Sequence, residues 1–310
     1  MIPLQNAVNE YLAMRRSLGF KLCSIGHSLG HFVSFMKQQK ATVITTELAL
    51  RWAQEPQHVQ PAEWAARLSY VRSFARYWSA TDPRTEIPAV GLLPFRRGRA
   101  TPYIYSVSDI CELLKAATEL SPLRALRGWT YYTVFGLMAV TGMRIGEVVH
   151  LECADVDLEE KFLTIRLTKF GKSRLIPLHP STVRKLTQYL HLRHQLHPRP
   201  STPRFFLSNQ GRPLTEGMVR WTFVKLSRQI GLRKTGERFG PRVHDLRHRF
   251  AVTTLLDWYR SGVDVEQRLP VLSTFLGHAN VTDTYWYLSA VPELLALTKD
   301  RLEKRWEVLS

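Results

Sequence analysis

The segment Thr141-Gly-Met-Arg-Ile-Gly-Glu147 sets an arginine where one helix ends and another begins. Gly142 suits a helix C-cap, and Arg144 at the next helix start could fork onto an anion beside exposed N–H groups. A plain Arg144–Glu147 pair on a helix surface is the alternative. In His244-Asp-Leu-Arg247-His248-Arg-Phe250 an imidazole able to move protons stands three residues from a guanidinium able to hold an anion, so both share a helical face. Leu276-Gly-His278 is followed by Asp283-Thr-Tyr-Trp-Tyr-Leu288. A tyrosine hydroxyl, with its ordinary pKa of about 10, becomes a nucleophile only beside a base and cations that bear the phenolate. Without them Tyr285, Trp286 and Tyr287 are packing aromatics. Lys169, in the turn Lys169-Phe-Gly-Lys172, is either an acid on a mobile arm or a solvated lysine.

The elements that must position these groups are legible from periodicity. Leu4, Ala7, Val8, Tyr11 and Leu12 share one helical face, and Leu22, Ile25, Leu29, Phe32, Val33 and Met36 repeat the pattern. A third helix is predicted from Thr45 or Thr46, and a fourth from Pro61 with Trp64, Leu68, Val71, Ala75 and Trp78 together. Arg72 and Arg76 lie off that stripe, as in a helix facing phosphates or a solvated one. Prolines 83, 88, 94 and 102 then break the periodicity around Phe95-Arg-Arg-Gly-Arg99. Ser106 and Asp109 form a capping box for the next helix, and the uncharged run Gly128–Met143 is too short to span a bilayer and reads as a buried helix near 124–140. Phe162 to Thr168 alternates as a strand, turns at 169–172 and returns over Arg174–Leu178, a β-hairpin with Lys169 near its tip. Helices follow near 181–196, 215–230, 244–260 and 292–308. The fold class expected is mainly α with a small β-hairpin (α+β), in a helical domain over 1–93, a linker over 94–104 and a second domain over 105–310.

Forty-three Lys and Arg against 26 Asp and Glu give a net charge of +17 and a pI near 10.1. Residues 1–100 carry 13 basic and 6 acidic side chains, so both halves are positive. Such an excess repels itself unless a polyanion meets it, and nucleic acid leads that list. Hydrophobic residues make up 45% of the chain, which supplies a core and excludes disordered or collagen-like chains. The start Met1-Ile-Pro-Leu-Gln lacks a signal-peptide pattern, and Cys23, Cys111 and Cys153 are too scattered for a disulfide framework. A reducing cytoplasm is the expected setting.

Taken in order, Arg144, Lys169, His244, Arg247, His278 and Tyr287 closely resemble the tyrosine recombinase (phage integrase) family. The motifs TGMRIGE, HDLRHRFA and LGHANVTDTYWYL agree with it in order, spacing and flanking apolar residues. The resemblance implies a helical N-terminal core-binding domain and a C-terminal catalytic domain that clamp double-stranded DNA. It implies Tyr287 as nucleophile, forming a 3′-phosphotyrosyl link, with Arg144 and Arg247 on the non-bridging oxygens. It further implies His244 as proton acceptor, Lys169 as acid for the leaving 5′-oxygen and His278 as hydrogen-bond donor, with no cofactor or metal. Tyr285 and Lys172 remain alternatives to Tyr287 and Lys169. Arg72, Arg76, Arg96, Arg97, Arg99, Lys172, Arg174, Arg233, Lys234, Arg238 and Arg242 are the expected DNA-backbone cations. The activity implied is site-specific integration, excision or resolution of DNA, of a mobile element, by a bacterial nucleoid-associated protein. Type IB topoisomerase-like relaxation and a catalytically silent DNA-binding regulator are the alternatives.

The family also implies self-association to a tetramer on two DNA sites through the last helix, whose Leu295, Leu302, Trp306 and Leu309 form an apolar side. Docking within the chain is the alternative, and a partner recombinase or DNA-bending protein is conceivable. The segment Val265–Leu272 is about four residues longer than in typical members. His191, His194 and His197 share a helix face, but Pro198 and Pro200 follow and no carboxylate or cysteine accompanies them, so a solvated helix end is expected there and no metal site.

Overall fold

The computed structural model describes residues 4–94, 101–122, 125–166, 173–234, 236–237, 240–289 and 292–307. They fall into two compact units, 1–100 and 101–310. The first holds four helices, α1 (Leu4–Ser17), α2 (Cys23–Gln38), α3 (Thr46–Gln54) and α4 (Pro61–Trp78). Thr45 caps α3 by accepting from the Leu48 amide, and Pro61 occupies the first turn of α4, where its missing N–H costs nothing. The predicted stripes converge: Tyr11, Leu29, Phe32, Trp52, Val71 and Phe74 are buried in one core.

That packing settles the arginines of α4. Arg72 donates from Nε to the Pro88 carbonyl (2.6 Å) and from Nη2 to that of Ala89 (2.8 Å). The expectation that it faces phosphate is therefore corrected: most of its fork holds the segment after α4 against the helix. Arg76 stays exposed. Arg96, Arg97 and Arg99 lie outside the described residues.

The second unit opens with α5 (Val107–Thr118), whose Ser106–Asp109 capping box is formed in both directions. Next comes α6 (Leu126–Thr141), most of the uncharged run, buried over most of its circumference with Trp129 and Val140 on an exposed face, and with α5, α8 (Pro180–Leu196) and α10 (Asp245–Arg260) packed against it. Between α6 and α8 lie the short α7 (Ile145–His150) and an antiparallel sheet of β1 (Val156–Asp157), β2 (Phe162–Ile165) and β3 (Arg174–Pro177) in that order. Leu163 pairs with Ile176 and both are buried, so the hairpin register follows the alternation. β1, only two residues long, was not expected from the sequence; of the strand expected over 162–168, β2 covers Phe162–Ile165, Arg166 lies beyond it and 167–168 are outside the described residues. Residues 167–172, with Lys169 and Lys172, lie outside the described set. α9 (Glu216–Gln229) completes the larger core around Tyr105, Phe135 and Phe223.

A separate cluster joins α10 to α11 (Val265–Leu276), α12 (Thr282–Ser289) and the start of α13 (Pro292–Glu307). The lengthened segment 265–272 is helical and forms the first turns of α11, with Pro270 inside it. In α13 it is Leu294 that is buried, while Leu295 is 52% exposed. The face of α13 that packs on α10 and α12 of the same chain is that of Leu294 and Leu297, and Leu295 of the expected apolar side lies outside it. The side chains of Leu302 and Trp306, and Leu309 altogether, lie outside the described residues. Among the described residues no helix is long and apolar enough to cross a membrane.

Candidate active site

Four of the six residues with chemical promise meet where α6, α10, α11 and α12 end or begin. Gly142 ends α6 in the left-handed region at φ 63°. A Cβ there would lie 2.7 Å from the Phe250 ring, so only glycine lets the chain turn into Arg144, the N-cap of α7. Arg247, in the first turn of α10, is 1% exposed and donates through Nη1 to the Gly142 carbonyl and through Nη2 to that of Leu276, both at 2.7 Å. Arg144 donates through Nη2 to the Gly277 carbonyl (2.7 Å) and through Nη1 to Glu147 Oε1 (2.9 Å). The Arg144–Glu147 pair is real, but it is part of this cluster and not a solvated surface pair, for Glu147 is only 9% exposed in its side chain.

Tyr287 and Tyr285 separate cleanly. Two residues apart on α12, they face opposite ways: Tyr287 is 2% exposed and Tyr285 51%. The Tyr287 phenol lies in the field of the Arg247 and Arg144 guanidiniums. Burial raises its pKa above the ordinary phenol value, and the charges of Arg247 and Arg144 oppose that rise. The ring of His278 lies 6.1 Å from that of Tyr287 and nearly parallel, with Nδ1 2.7 Å from the buried Thr284 hydroxyl.

His244 is the N-cap of α10, open to solvent on one side, and its ring meets that of His248 edge-on at 4.8 Å. His248 was not singled out in the sequence. It lies one helical turn beyond His244, which was the available signal, and its ring stands 5.1 Å from Trp286 and 5.5 Å from Tyr287. Its Nδ1 is buried without a hydrogen-bond partner.

The electrostatics follow from crowding cations into a dry place. Arg247 is pushed down to about 10, by burial and then by Arg144, and stays charged at neutral pH. Lost hydration, followed by the field of Arg247, pushes His244 down to about 4. Burial and the same arginine bring His278 to about 4, and burial with His244 brings His248 to about 3. All three imidazoles are neutral at pH 7, able to accept or donate a proton without adding to the positive charge.

This has a consequence for stability. Above the unfolded value of about 6.5 neither state carries these protons; below it the unfolded chain takes them up first, so stability falls with pH towards the folded values. The melting temperature should drop between about pH 7.5 and about pH 5, and His248→Gln should flatten part of the slope. A melting temperature constant over that interval would contradict the neutral state of these rings.

The basic residues expected to track a DNA backbone divide. Arg174 is buried in its side chain and fully engaged, so the expectation of a DNA contact is corrected: it forks onto Glu147 and donates to the Phe275 carbonyl. Arg242, about half exposed, pairs with Asp245. Arg233 is held inward, its Nε buried, against Gly240. Lys234 is exposed beside Glu237, and Arg238 lies outside the described residues. Among the described residues no three His, Cys, Asp or Glu side chains gather as a metal site would need, and His191 and His194 are exposed.

A mainly helical fold with a small antiparallel sheet, its arginines, imidazoles and buried phenol meeting at helix ends, is that of the tyrosine recombinases. A Tn1549 transposon integrase solved in complex with circular intermediate DNA superposes with TM-score 0.67 at 15% identity, over 96% of this chain and 99% of that one. A lambda integrase tetramer bound to a Holliday junction gives 0.60 at 18%, over 91% and 79%. The chain belongs to the phage integrase family, whose model matches residues 107–293. It is 52% identical, over 99% of both chains, to y4rB of Sinorhizobium fredii (strain NBRC 101917 / NGR234), named as an integrase/recombinase. It is 30% identical to the tyrosine recombinase XerD of Staphylococcus aureus (strain Mu50 / ATCC 700699), over 74% of this chain and 72% of that one. The chain is thus a site-specific tyrosine recombinase.

Proposed function

We propose that this recombinase cuts and rejoins double-stranded DNA through a covalent bond from Tyr287 to a 3′-phosphate. The observation that carries the assignment is the buried Tyr287 phenol set in the field of Arg247 and Arg144, with the His278 and His248 rings against its own. Arg144 and Arg247 each keep N–H groups beyond those spent on carbonyls, and these hold the non-bridging oxygens and stabilise the charge that grows on them in the transition state. Tyr287 Oη attacks phosphorus, its proton passes to neutral His244, and the bond to the 5′-oxygen breaks as Lys169 supplies that oxygen with a proton. In the tautomer that accepts at Nδ1 from the Thr284 hydroxyl, the His278 ring proton sits on Nε2 and donates to the phosphate. Rejoining is the reverse attack by a 5′-hydroxyl, so the covalent bond conserves the phosphodiester and no nucleotide hydrolysis is needed.

Residues 1–93 act as the core-binding domain and 105–310 as the catalytic domain. The charge of +17 supports duplex DNA as the partner of both. Assembly as a tetramer on two sites, on DNA of a mobile element, completes the reading; the lambda integrase tetramer on its junction supports it by analogy of fold.

The test is a nicked suicide duplex, selected from a random-sequence pool by binding to the protein and incubated in buffer with EDTA. A protein–DNA adduct that withstands denaturation, with the 5′-hydroxyl released, is the expected result. Tight binding with no adduct on any selected duplex would overturn the reading in favour of a silent DNA-binding protein.

A further inference from the structure

We infer that Arg174 is a positioning residue for the strand-cleavage step, acting by keeping Glu147 from neutralising Arg144. The inference rests on the catalytic reading above. Arg174 opens β3, two residues after Lys172, and each of its three guanidinium nitrogens donates inward. Nη1 and Nη2 make parallel bonds to Glu147 Oε1 and Oε2 at 3.0 and 2.8 Å, and Nε donates to the Phe275 carbonyl at 2.7 Å. Its side chain is 8% exposed.

Two features give this contact more than a packing role. The first is the sharing of Glu147. Its carboxylate also accepts from Arg144, through Nη1 and through the backbone N–H, both at 2.9 Å. Burial raises the Glu147 pKa, but the bonds and charge of Arg174, with help from Arg144, outweigh that and hold it low, so it is an anion. One negative charge is divided between two guanidiniums. Without Arg174 the whole carboxylate falls to Arg144, which is then drawn from the phosphate and half silenced.

The second is the row of carbonyls that ends α11. The last carbonyls of a helix have no partner within it and carry its negative dipole end. Here Phe275, Leu276 and Gly277 accept in succession from Arg174, Arg247 and Arg144. His278 comes next. Gly277 sits at φ 69°, and a Cβ on it would lie 2.6 Å from Arg174 Nη1 and 3.3 Å from Arg144 Nη1. Three guanidiniums and one imidazole therefore take their positions from a single helix end, and Arg174 brings the base of the β2–β3 hairpin onto the same row.

The test compares cleavage of the selected suicide duplex by wild type, Arg174→Met, Arg174→Lys and the double variant Arg174→Met with Glu147→Gln. Arg174→Met should slow adduct formation about 10–100-fold with DNA affinity within about 2-fold of wild type. Arg174→Lys, which keeps the charge but not the fork, should fall between. In the double variant no carboxylate is left to capture Arg144, so the rate should recover at least about 5-fold over Arg174→Met. A duplex with an uncharged methylphosphonate at the scissile position gives the second readout. There the Arg174→Met defect should shrink, because less negative charge needs an arginine.

A slowed Arg174→Met not relieved by Glu147→Gln, with an equal defect on both phosphorus centres, would mean a merely structural role and overturn the inference. So would loss of DNA affinity with a shallower salt dependence, which would restore Arg174 as a DNA contact. Should Arg174→Met not fold, Arg174→Lys with and without Glu147→Gln reads the same rescue. Absence of an adduct from wild type would instead remove the catalytic reading itself.

Discussion

Tyr287→Phe abolishes covalent attachment to DNA, while Tyr285→Phe leaves it within a few-fold of wild type. Loss of a nucleophile's attacking atom removes its pathway, so a drop of about 10⁴-fold or more is expected on the suicide duplex, below what a denaturing gel detects. The ring of Phe keeps the contacts with His248, Trp286 and His278, so the fold and DNA affinity should persist. Tyr285 is half exposed on the opposite side of α12, and its hydroxyl has no access to the arginines without unwinding the helix. An adduct that survived in Tyr287→Phe and vanished in Tyr285→Phe would show that α12 rearranges on DNA, and would reverse the assignment.

Arg247→Ala should be the next most damaging change, and it should damage two properties at once. The guanidinium is the most deeply buried cation of the cluster, donates to the Gly142 and Leu276 carbonyls and sets its charge on Tyr287. Without it, transition-state charge loses one of two forked donors, a loss of about 10²–10³-fold in cleavage rate. Two buried carbonyls are also left without a donor, at about 1–3 kcal/mol each, so the melting temperature falls as well. Arg247→Lys separates the effects: an ammonium keeps the charge but cannot reach both carbonyls in one plane. It should bind DNA as wild type, recover part of the stability, and still cleave at least about 10-fold more slowly. If both variants cleaved at wild-type rate, the phosphate would have to be held elsewhere.

Most of the helical scaffold was legible in the sequence because it is written in local signals. The Thr45 cap, Pro61 at a first turn, the Ser106–Asp109 box and Gly142 after an uncharged run each act within a few residues, and each element formed where that signal stands. The family could be named from order and spacing alone, since TGMRIGE, HDLRHRFA and LGHANVTDTYWYL are local strings. The fold is that of the tyrosine recombinases, as expected.

What spacing does not carry is the partner of a charged side chain across the chain. Arg174 and Arg72 look alike in sequence to Arg76, basic residues off an apolar stripe or in a strand. Yet one is bound to a carboxylate 27 residues away and a carbonyl 101 residues away, one to carbonyls 16 and 17 residues on, and one is left exposed. The choice between Tyr285 and Tyr287, two residues apart, likewise awaited the packing of α12 on α10 and α11. Glu147 was read only as a surface partner of Arg144, and His248 was not singled out, for the same reason, each having an ordinary local explanation. The sequence by itself was enough for most of the helices, several of their caps, the family and the nomination of six candidate residues, because periodicity and capping are short-range and cheap to satisfy; α11 and α12, which carry the turn before His278 and Tyr287, were not among the expected helices. Only the tertiary structure decided which cations are free to meet an anion. A buried guanidinium must find acceptors wherever the fold brings them, and here it brings them to the end of α11.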